Sequence, residues 1–510
     1  MTILQTSTNQ TPKGSPSTRP RNGKYNPELA SSNNSYEDRS PILQRSQFAR
    51  LLQRDGVNCL FHTINLQMVF GGPILRDLFE AFEKSTPTQA VIDQFSEIHT
   101  ADLVKRVIAD LSQSGLLVQN ANADVSVYRK EYDKAISQYR IQLMYFLPTT
   151  ACNFRCTYCF VEDEGRHQKP CFMDIPTAEM ALTTFARLNK EAGHGTVIFY
   201  GGEPLLNPQT TFYSLRRLRQ LEAESQILPM DRVSLLTNGS LVDEETIRVF
   251  KETRPTVSVS IDGPQRLHDA ARVDEHGRGT FAAALKGYRW LQDAGLKPGI
   301  SCTLSTATIE HMDEIVDFII SDLKPSGMGF NLPLPQTGNK GNSDFDHEFG
   351  VEQLIKAFVR LREAGIYEDR MMRRVRPFKS QQLHCKDCMG VGGQIVVTPA
   401  RRVGPCQAYL GVDDEKYFPL TVAELAAKGE QISAADIYSN PRFGEWCHRF
   451  PLNMKECADC VAISVCGGGC PYAADVTAGP IWQIDERVCH QAENILQWMI
   501  WDTYEHMQAS

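Results

Sequence analysis

The chemistry most legible in this chain lies in its cysteines. Cys152, Cys156 and Cys159 fall within eight residues, spaced C-x-x-x-C-x-x-C, with Tyr158 just before the last. Three thiolates this close in sequence can hold three corners of a 4Fe–4S cluster and leave one iron without a protein ligand. Such an iron is open to a substrate group, like the open position of a catalytic zinc. The alternative is a structural zinc site, which wants four closed ligands; nearby, only Cys171 and His167 could add the fourth. A second set lies toward the C-terminus: Cys457-x2-Cys460-x5-Cys466-x3-Cys470, then Cys489, with Cys385, Cys388 and Cys406 upstream. Three glycines between Cys466 and Cys470 let backbone wrap closely. Eight cysteines suit two fully ligated 4Fe–4S clusters, or on the other reading a two-zinc ribbon. Cys59, Cys171, Cys302 and Cys447 are left over and read as small buried hydrophobes.

The rest of the composition narrows the setting. The chain has 510 residues, 15 of them cysteine, an odd and clustered count that argues for metal over a disulfide framework. A net charge of −8 argues against nucleic acid as a partner. No apolar run is long enough to span a membrane, and no secretory signal opens the sequence, so the expected location is cytoplasmic.

The elements that must position these residues fall into segments. Residues 1–44 are polar and read as a disordered tail. Residues 45–125 read as a small helical domain. Pro73 opens a helix bearing Ile74, Leu75, Leu78, Phe79 and Phe82; a later helix carries Leu103, Val104, Val107, Ile108 and Leu111, then Gly115 and a short strand. That outline suits a winged-helix-like module or a purely structural cap. From 138 to 335, apolar runs at 141–147, 196–200, 232–237, 256–262, 299–304 and 327–332 alternate with helical patterns. Six strand–helix units predict an α/β fold with a parallel sheet, curled into an incomplete (β/α)6 barrel, each strand buried on both faces. Its working face would be the C-terminal strand ends. Residues 336–384 read as a connection, and 385–495 as a loop-rich domain stapled by metal clusters.

Further motifs follow successive strands: Gly201-Gly202-Glu203-Pro204, Thr237-Asn238-Gly239, and Ser260-Ile261-Asp262-Gly263-Pro264 with His268, Asp269 and Arg272 beyond. With the three-cysteine loop, these resemble the radical S-adenosylmethionine (radical SAM) superfamily over roughly 140–335. The resemblance implies that Cys152, Cys156 and Cys159 hold a 4Fe–4S cluster whose open iron binds S-adenosylmethionine. It implies that Gly201, Gly202 and Glu203 meet the cofactor's amino group, that Ser260 contacts it, that Arg272 pairs with its carboxylate, and that Tyr158 lies against the adenine. Asn238 belongs to the same constellation. The implied reaction is reductive cleavage to a 5′-deoxyadenosyl radical, fed by a one-electron donor such as a flavodoxin or ferredoxin.

The C-terminal run resembles the SPASM domain of peptide-modifying radical enzymes. The resemblance implies two auxiliary 4Fe–4S clusters, one on Cys385, Cys388, Cys406 and Cys470 and one on Cys457, Cys460, Cys466 and Cys489. This chain departs from the pattern at Arg401, where the family often has Gly five residues before the Cys406 position. The leading functional expectation is maturation of a ribosomally made precursor peptide, with 45–125 docking a leader as an added strand. The second is an anaerobic sulfatase maturase forming formylglycine. In that branch an Asp base follows the Cys406 position; here it is Gln407, which cannot accept a proton as a carboxylate does. The third, from another class, is a zinc-stabilised peptide-binding protein without catalysis. Glu162, Asp163, Glu164 and Tyr409 are acid/base candidates, none of them singled out.

Overall fold

The computed structural model describes residues 2–3, 40–137, 139–159, 161, 169–190, 192–227, 230–335, 346–410, 414–477 and 479–509. Glu162–Glu164 and His167 lie outside them. The chain divides into two compact units, Met1–Arg129 and Lys130–Ser510. Among the described residues no helix is long and apolar enough to cross a membrane.

Among the described residues the first unit contains seven strands: β1 (Thr2–Ile3), β2 (Ile42–Arg45), β3 (Ala49–Arg54), β4 (Val57–His62), β5 (Met68–Gly71), β6 (Thr86–Pro87) and β7 (Leu117–Val118). They form one sheet ordered β1-β5-β4-β3 and another ordered β6-β2-β7. The expected helices are present. Pro73–Ala81 buries Ile74, Leu75, Leu78 and Phe79, and Ala101–Gln113 buries Val104, Val107, Ile108 and Leu111. The expectation of a small helical domain with one short strand is corrected: that strand is present as β7, and six further strands accompany it. β3 and β4 lack a clean period-2 pattern, but Asp55-Gly56 between them sits at φ 52° and 79°, the type I′ hairpin geometry that Asp-Gly favours. The expected tail also loses its two ends: Thr2–Ile3 pairs with β5 and Ile42–Arg45 is β2, while 4–39 lies outside the described residues.

The second unit is built on a nine-stranded sheet. Its strands are β8 (Leu143–Phe146), β9 (Gly195–Phe199), β10 (Met230–Thr237), β11 (Thr256–Ser260), β12 (Gly299–Thr303), β13 (Met328–Asn331), β14 (Gln394–Val397), β15 (Arg402–Gly404) and β16 (Leu420–Thr421). The order is β13-β12-β11-β10-β9-β8-β14-β15-β16, with β8 to β13 parallel in chain order. Crossovers of one hand between neighbours put their helices on one face. Met144, Phe146, Val197, Phe199, Val233, Leu235, Val257, Val259, Ile300, Cys302, Met328 and Phe330 join the buried core with those helices.

The alternate residues, among them Tyr145, Ser258, Ser260, Ser301, Thr303, Gly329 and Asn331, are only half-buried. Burial on both faces, expected from the apolar runs, is therefore corrected: the helices cover one face, and the other is left half-buried, mixing Ser260, Ser301, Thr303 and Asn331 with Tyr145, Ile198 and Leu236. The sheet also continues into the cysteine-rich segment. β14 pairs parallel with β8, so residues expected to be loops extend the main sheet beside the first cysteine loop.

Candidate active site

The first cysteine loop leaves the C-terminal end of β8 and is clamped from both sides. Thr150 N donates to Cys171 O (3.0 Å), and Cys171 N donates to Thr150 Oγ1 (2.9 Å). On the other side Arg155 N donates to Val273 O (2.6 Å) and Thr157 N to Ala271 O (2.9 Å). The leftover Cys171 thus contributes its backbone to the loop's frame. Two side-chain donors point at the sulfurs: Asn238 Nδ2 is 4.0 Å from Cys152 Sγ, and Arg272 Nη1 is 3.8 Å from Cys156 Sγ. Burial raises the Cys156 thiol to about 11, against the pull of Arg272, and raises Cys152 further, helped by Glu203 and the neighbouring Cys159 and Cys156. Thiols held up by burial become ligands when a metal takes their protons, and N–H groups facing sulfur favour that form. The donor set therefore fits a cluster.

Gly201 and Gly202 press against this loop. A Cβ on Gly201 would stand 2.6 Å from Thr149 O, and one on Gly202 only 2.0 Å from Ala151 O. Gly202 N donates to Thr149 O (3.0 Å) and Glu203 N to Ala151 O (2.7 Å). Glu203 is buried, and its carboxylate accepts from Leu205 N (3.0 Å), Thr237 Oγ1 (2.8 Å) and Asn238 N (2.7 Å). Burial pushes its pKa up to about 7 despite those bonds. Its side chain is thus a staple between the ends of β9 and β10. That in turn positions Asn238, which also donates to Asn153 Oδ1 (2.9 Å).

Asp262 is the residue that reading from sequence passed over. It is buried. Its Oδ2 accepts from Arg272 Nε (2.7 Å) and Tyr158 Oη (2.6 Å), and its Oδ1 accepts from Arg272 Nη2 (3.1 Å) and Thr303 N (2.8 Å). The Arg272 guanidinium carbon also lies 5.4 Å from the Tyr158 ring centroid. One carboxylate thus ties Tyr158 of the cysteine loop to Arg272. In the sequence Asp262 shows only as an acid just past β11, with no local mark of its partners. Ser260 ends β11 on the inner surface.

The C-terminal cysteines fall into two neighbourhoods. Cys388, Cys406 and Cys470 lie near one another, as do Cys457, Cys460 and Cys489, with Cys466 near Cys489. Cys385 stands apart: its charged neighbours are Glu131, Lys386 and Lys134. Arg401 stands at φ 66°, so the left-handed turn that usually takes Gly is made here by Arg. Tyr409 is buried, stacks on Tyr417 (3.9 Å between centroids) and donates to Asp475 Oδ2 (2.6 Å). Burial and Asp475 hold its phenol protonated, which removes it as a base. Among the described residues no three or more Cys, His, Asp or Glu side chains converge on a single-ion site. A 4Fe–4S cubane binds each thiolate through a different iron, so its ligands need not converge on one point.

Residues 146–319 match the radical SAM superfamily. The chain is a radical SAM enzyme. It is similar to the radical SAM cyclopropyl synthase TigE of Paramaledivibacter caminithermalis, 22% identical over 477 residues, which is 87% of this chain and 93% of that protein. It also resembles a cysteine-type anaerobic sulfatase-maturating enzyme of Clostridium perfringens, 29% identical over 168 residues, 33% of this chain and 45% of that one. The radical SAM fold is shared with the anSMEcpe structure bound to AdoMet and a peptide, at TM-score 0.58 and 20% identity, covering 72% of this chain and 99% of that one. It is shared too with Streptococcus suis SuiB bound to precursor peptide SuiA, at TM-score 0.50 and 16% identity, covering 88% and 99%. As a radical SAM enzyme the chain uses S-adenosylmethionine and a 4Fe–4S cluster, and the non-catalytic zinc protein weighed from sequence falls away.

Proposed function

We propose that this radical SAM enzyme modifies a ribosomally made peptide within an incomplete (β/α)6 barrel, on the inner surface between two sets of cysteines. The observation that carries the reading is one aromatic cluster. Tyr145 and Tyr200 (ring centroids 6.0 Å apart) pack in it together with Cys159 of the first loop and with Cys406 and Cys470 of the second. A substrate held there is reached from both sides. Bound at Cys152, Cys156 and Cys159, the cluster and S-adenosylmethionine supply hydrogen-atom abstraction.

The chain's own residues prepare the site. Asn238 and Arg272 direct N–H groups at the sulfurs. Arg272 spends three of its five N–H groups on Asp262 and Cys156, leaving two for a cofactor carboxylate. Gly201, Gly202 and Ser260 offer the close backbone and hydroxyl that the resemblance assigns to the cofactor. Cys388, Cys406 and Cys470, with Cys385, and Cys457, Cys460, Cys466 and Cys489 hold two auxiliary clusters. The first unit serves as a winged-helix-like leader-docking domain, where the edge of its β1-β5-β4-β3 sheet can take an added strand. Of the structures that share the fold, SuiB is bound to its precursor peptide and anSMEcpe to a peptide, which supports a peptide substrate.

A sulfatase maturase is the second reading, favoured by the match to the Clostridium perfringens enzyme and opposed by Gln407. The test begins with iron and sulfide after anaerobic reconstitution, and 5′-deoxyadenosine after reduction with dithionite. About twelve irons per chain support three clusters. A sulfatase-derived peptide gaining formylglycine decides for the second reading. Deoxyadenosine formation stimulated by a precursor peptide, with loss of substrate hydrogen, decides for the first.

A further inference from the structure

Helix Asp369–Lys379 starts beside β13 with an arginine in its first turn. Both acids next to that arginine are committed elsewhere. The Glu368 carboxylate accepts from Phe330 N (3.0 Å), Arg370 N (3.1 Å) and Met371 N (2.6 Å), and Asp369 pairs with Arg373 (2.7 Å). The Arg370 guanidinium instead reaches the last residue of β13. Its Nε (3.1 Å) and its Nη2 both donate to Asn331 Oδ1, and Asn331 Nδ2 donates to Ser301 Oγ of β12 (3.0 Å). A Cβ on Gly329 would come within 4.0 Å of Arg370 Cγ and Nε.

The guanidinium therefore lies over the inner surface of the sheet. Tyr145 and Tyr200 both feel its charge, and Tyr200 also feels Cys159. Burial and the charge of Arg373 press the Arg370 pKa down. Arginine stays charged even so, and a cation drawn out of water is costly unless paired. Two of its five N–H groups share one neutral oxygen; the other three and the whole charge have no carboxylate at ion-pair distance among the described residues.

We propose that Arg370 is a carboxylate subsite on the active-site face, taking an Asp or Glu side chain or the C-terminal carboxylate of the peptide substrate. Asn331 holds the fork in place by fixing Nε and Nη2, which leaves Nη1 and the second N–H of Nη2 for the incoming oxygens. The inference rests on the peptide reading above and deepens it.

The test is affinity selection on the reconstituted holoenzyme with S-adenosylmethionine, read by mass spectrometry. The probe is a synthetic library of random decapeptides made both as free acids and as C-terminal amides. Wild type should retain acidic peptides, and Arg370→Gln should retain them about tenfold less or worse. Arg370→Lys, which keeps the charge but not the fork, should fall between. Arg376→Gln removes a charge from the same helix, where Arg376 stacks on Tyr367 (4.9 Å), and should select as wild type does. Acidic amides retained point to a side-chain carboxylate; free acids alone point to the C-terminus. Iron content and melting temperature matching wild type identify variants that fold. Selection of the same acidic peptides by Arg370→Gln, or retention of neutral peptides alone by wild type, overturns the subsite while leaving the peptide reading intact. Retention of no peptide at all overturns both.

Discussion

Arg272 Nε stands 2.7 Å from Asp262 Oδ2, and the same guanidinium reaches Cys156 through Nη1 at 3.8 Å. The pair is buried, so its worth lies in not being broken. Asp262→Ala would strand a desolvated cation beside the cysteine loop and release Tyr158. Removing one partner of such a pair costs about 3–5 kcal/mol. Denaturant titration of the iron-free variant should show a loss of that order. Asp262→Asn, which keeps an acceptor oxygen, should lose less. Equal midpoints for Asp262→Ala and wild type would mean that the pair does not brace the loop.

Gly202→Ala tests the contact between the Gly-Gly-Glu segment and the cysteine loop. The new Cβ would meet backbone, Ala151 O at 2.0 Å, so the loop before Cys152 must move. The expected result is loss of about four irons per chain and of deoxyadenosine formation, with the remaining iron kept. Full iron with normal cleavage would show that the loop tolerates the shift.

Much of this site was legible in sequence because cysteine spacing and strand-end motifs are local. Cys152–Cys159, Gly201–Glu203 and Asn238 each follow a strand recognisable by its apolar run, and the structure brings them together. The rest depends on tertiary pairing. Nothing local marks Asp262 as the partner of both Tyr158 and Arg272, which are 104 and 10 residues away. Nor does Gln394–Val397 announce that it will pair with β8. The half-buried inner surface was hidden in strands whose residues are apolar enough to read as buried on both sides.

At Arg401 the sequence departs from the family's usual Gly while the backbone keeps the left-handed turn, φ 66°, closed by Arg401 N donating to Thr398 O (3.1 Å). A non-glycine residue there costs about 1–2 kcal/mol. Arg401→Gly removes that strain but loses an exposed bridge to Asp174 (2.8 Å) and adds freedom to the unfolded chain. Its net effect should lie within about 1 kcal/mol of zero. Arg401→Val, β-branched, should destabilise clearly more. Thermal melting of the two variants decides, and equal losses would rule out the turn as the reason.

Cys385 and Cys406 should respond differently to removal. Cys406 sits with Cys388 and Cys470, while Cys385 faces Lys386, Lys134 and Glu131. Cys406→Ala should therefore lose about four irons per chain. Cys385→Ala should keep more of them, because three thiolates already stand together. Iron assays on the two reconstituted variants measure this, and equal losses would mean that Cys385 turns inward when the cluster binds.

His62, in the first unit, gives that unit a pH dependence. It is buried, and its Nδ1 accepts from Ile64 N and Asn65 N (both 3.2 Å), a role open only to neutral imidazole. Burial, opposed in part by a backbone hydrogen bond and aided by the Arg50 charge, lowers its pKa from 6.5 to about 4. In the unfolded chain it takes a proton near 6.5; in the folded chain it resists until about 4. Its contribution is therefore complete above pH 6.5 and is lost as the pH falls toward 4, by up to about 3 kcal/mol. Carboxylates titrate in part of the same window, so the comparison needed is with His62→Gln. Melting temperatures of the two chains should converge as the pH drops from 7 to 4. A constant gap across that range would show that His62 does not hold off its proton.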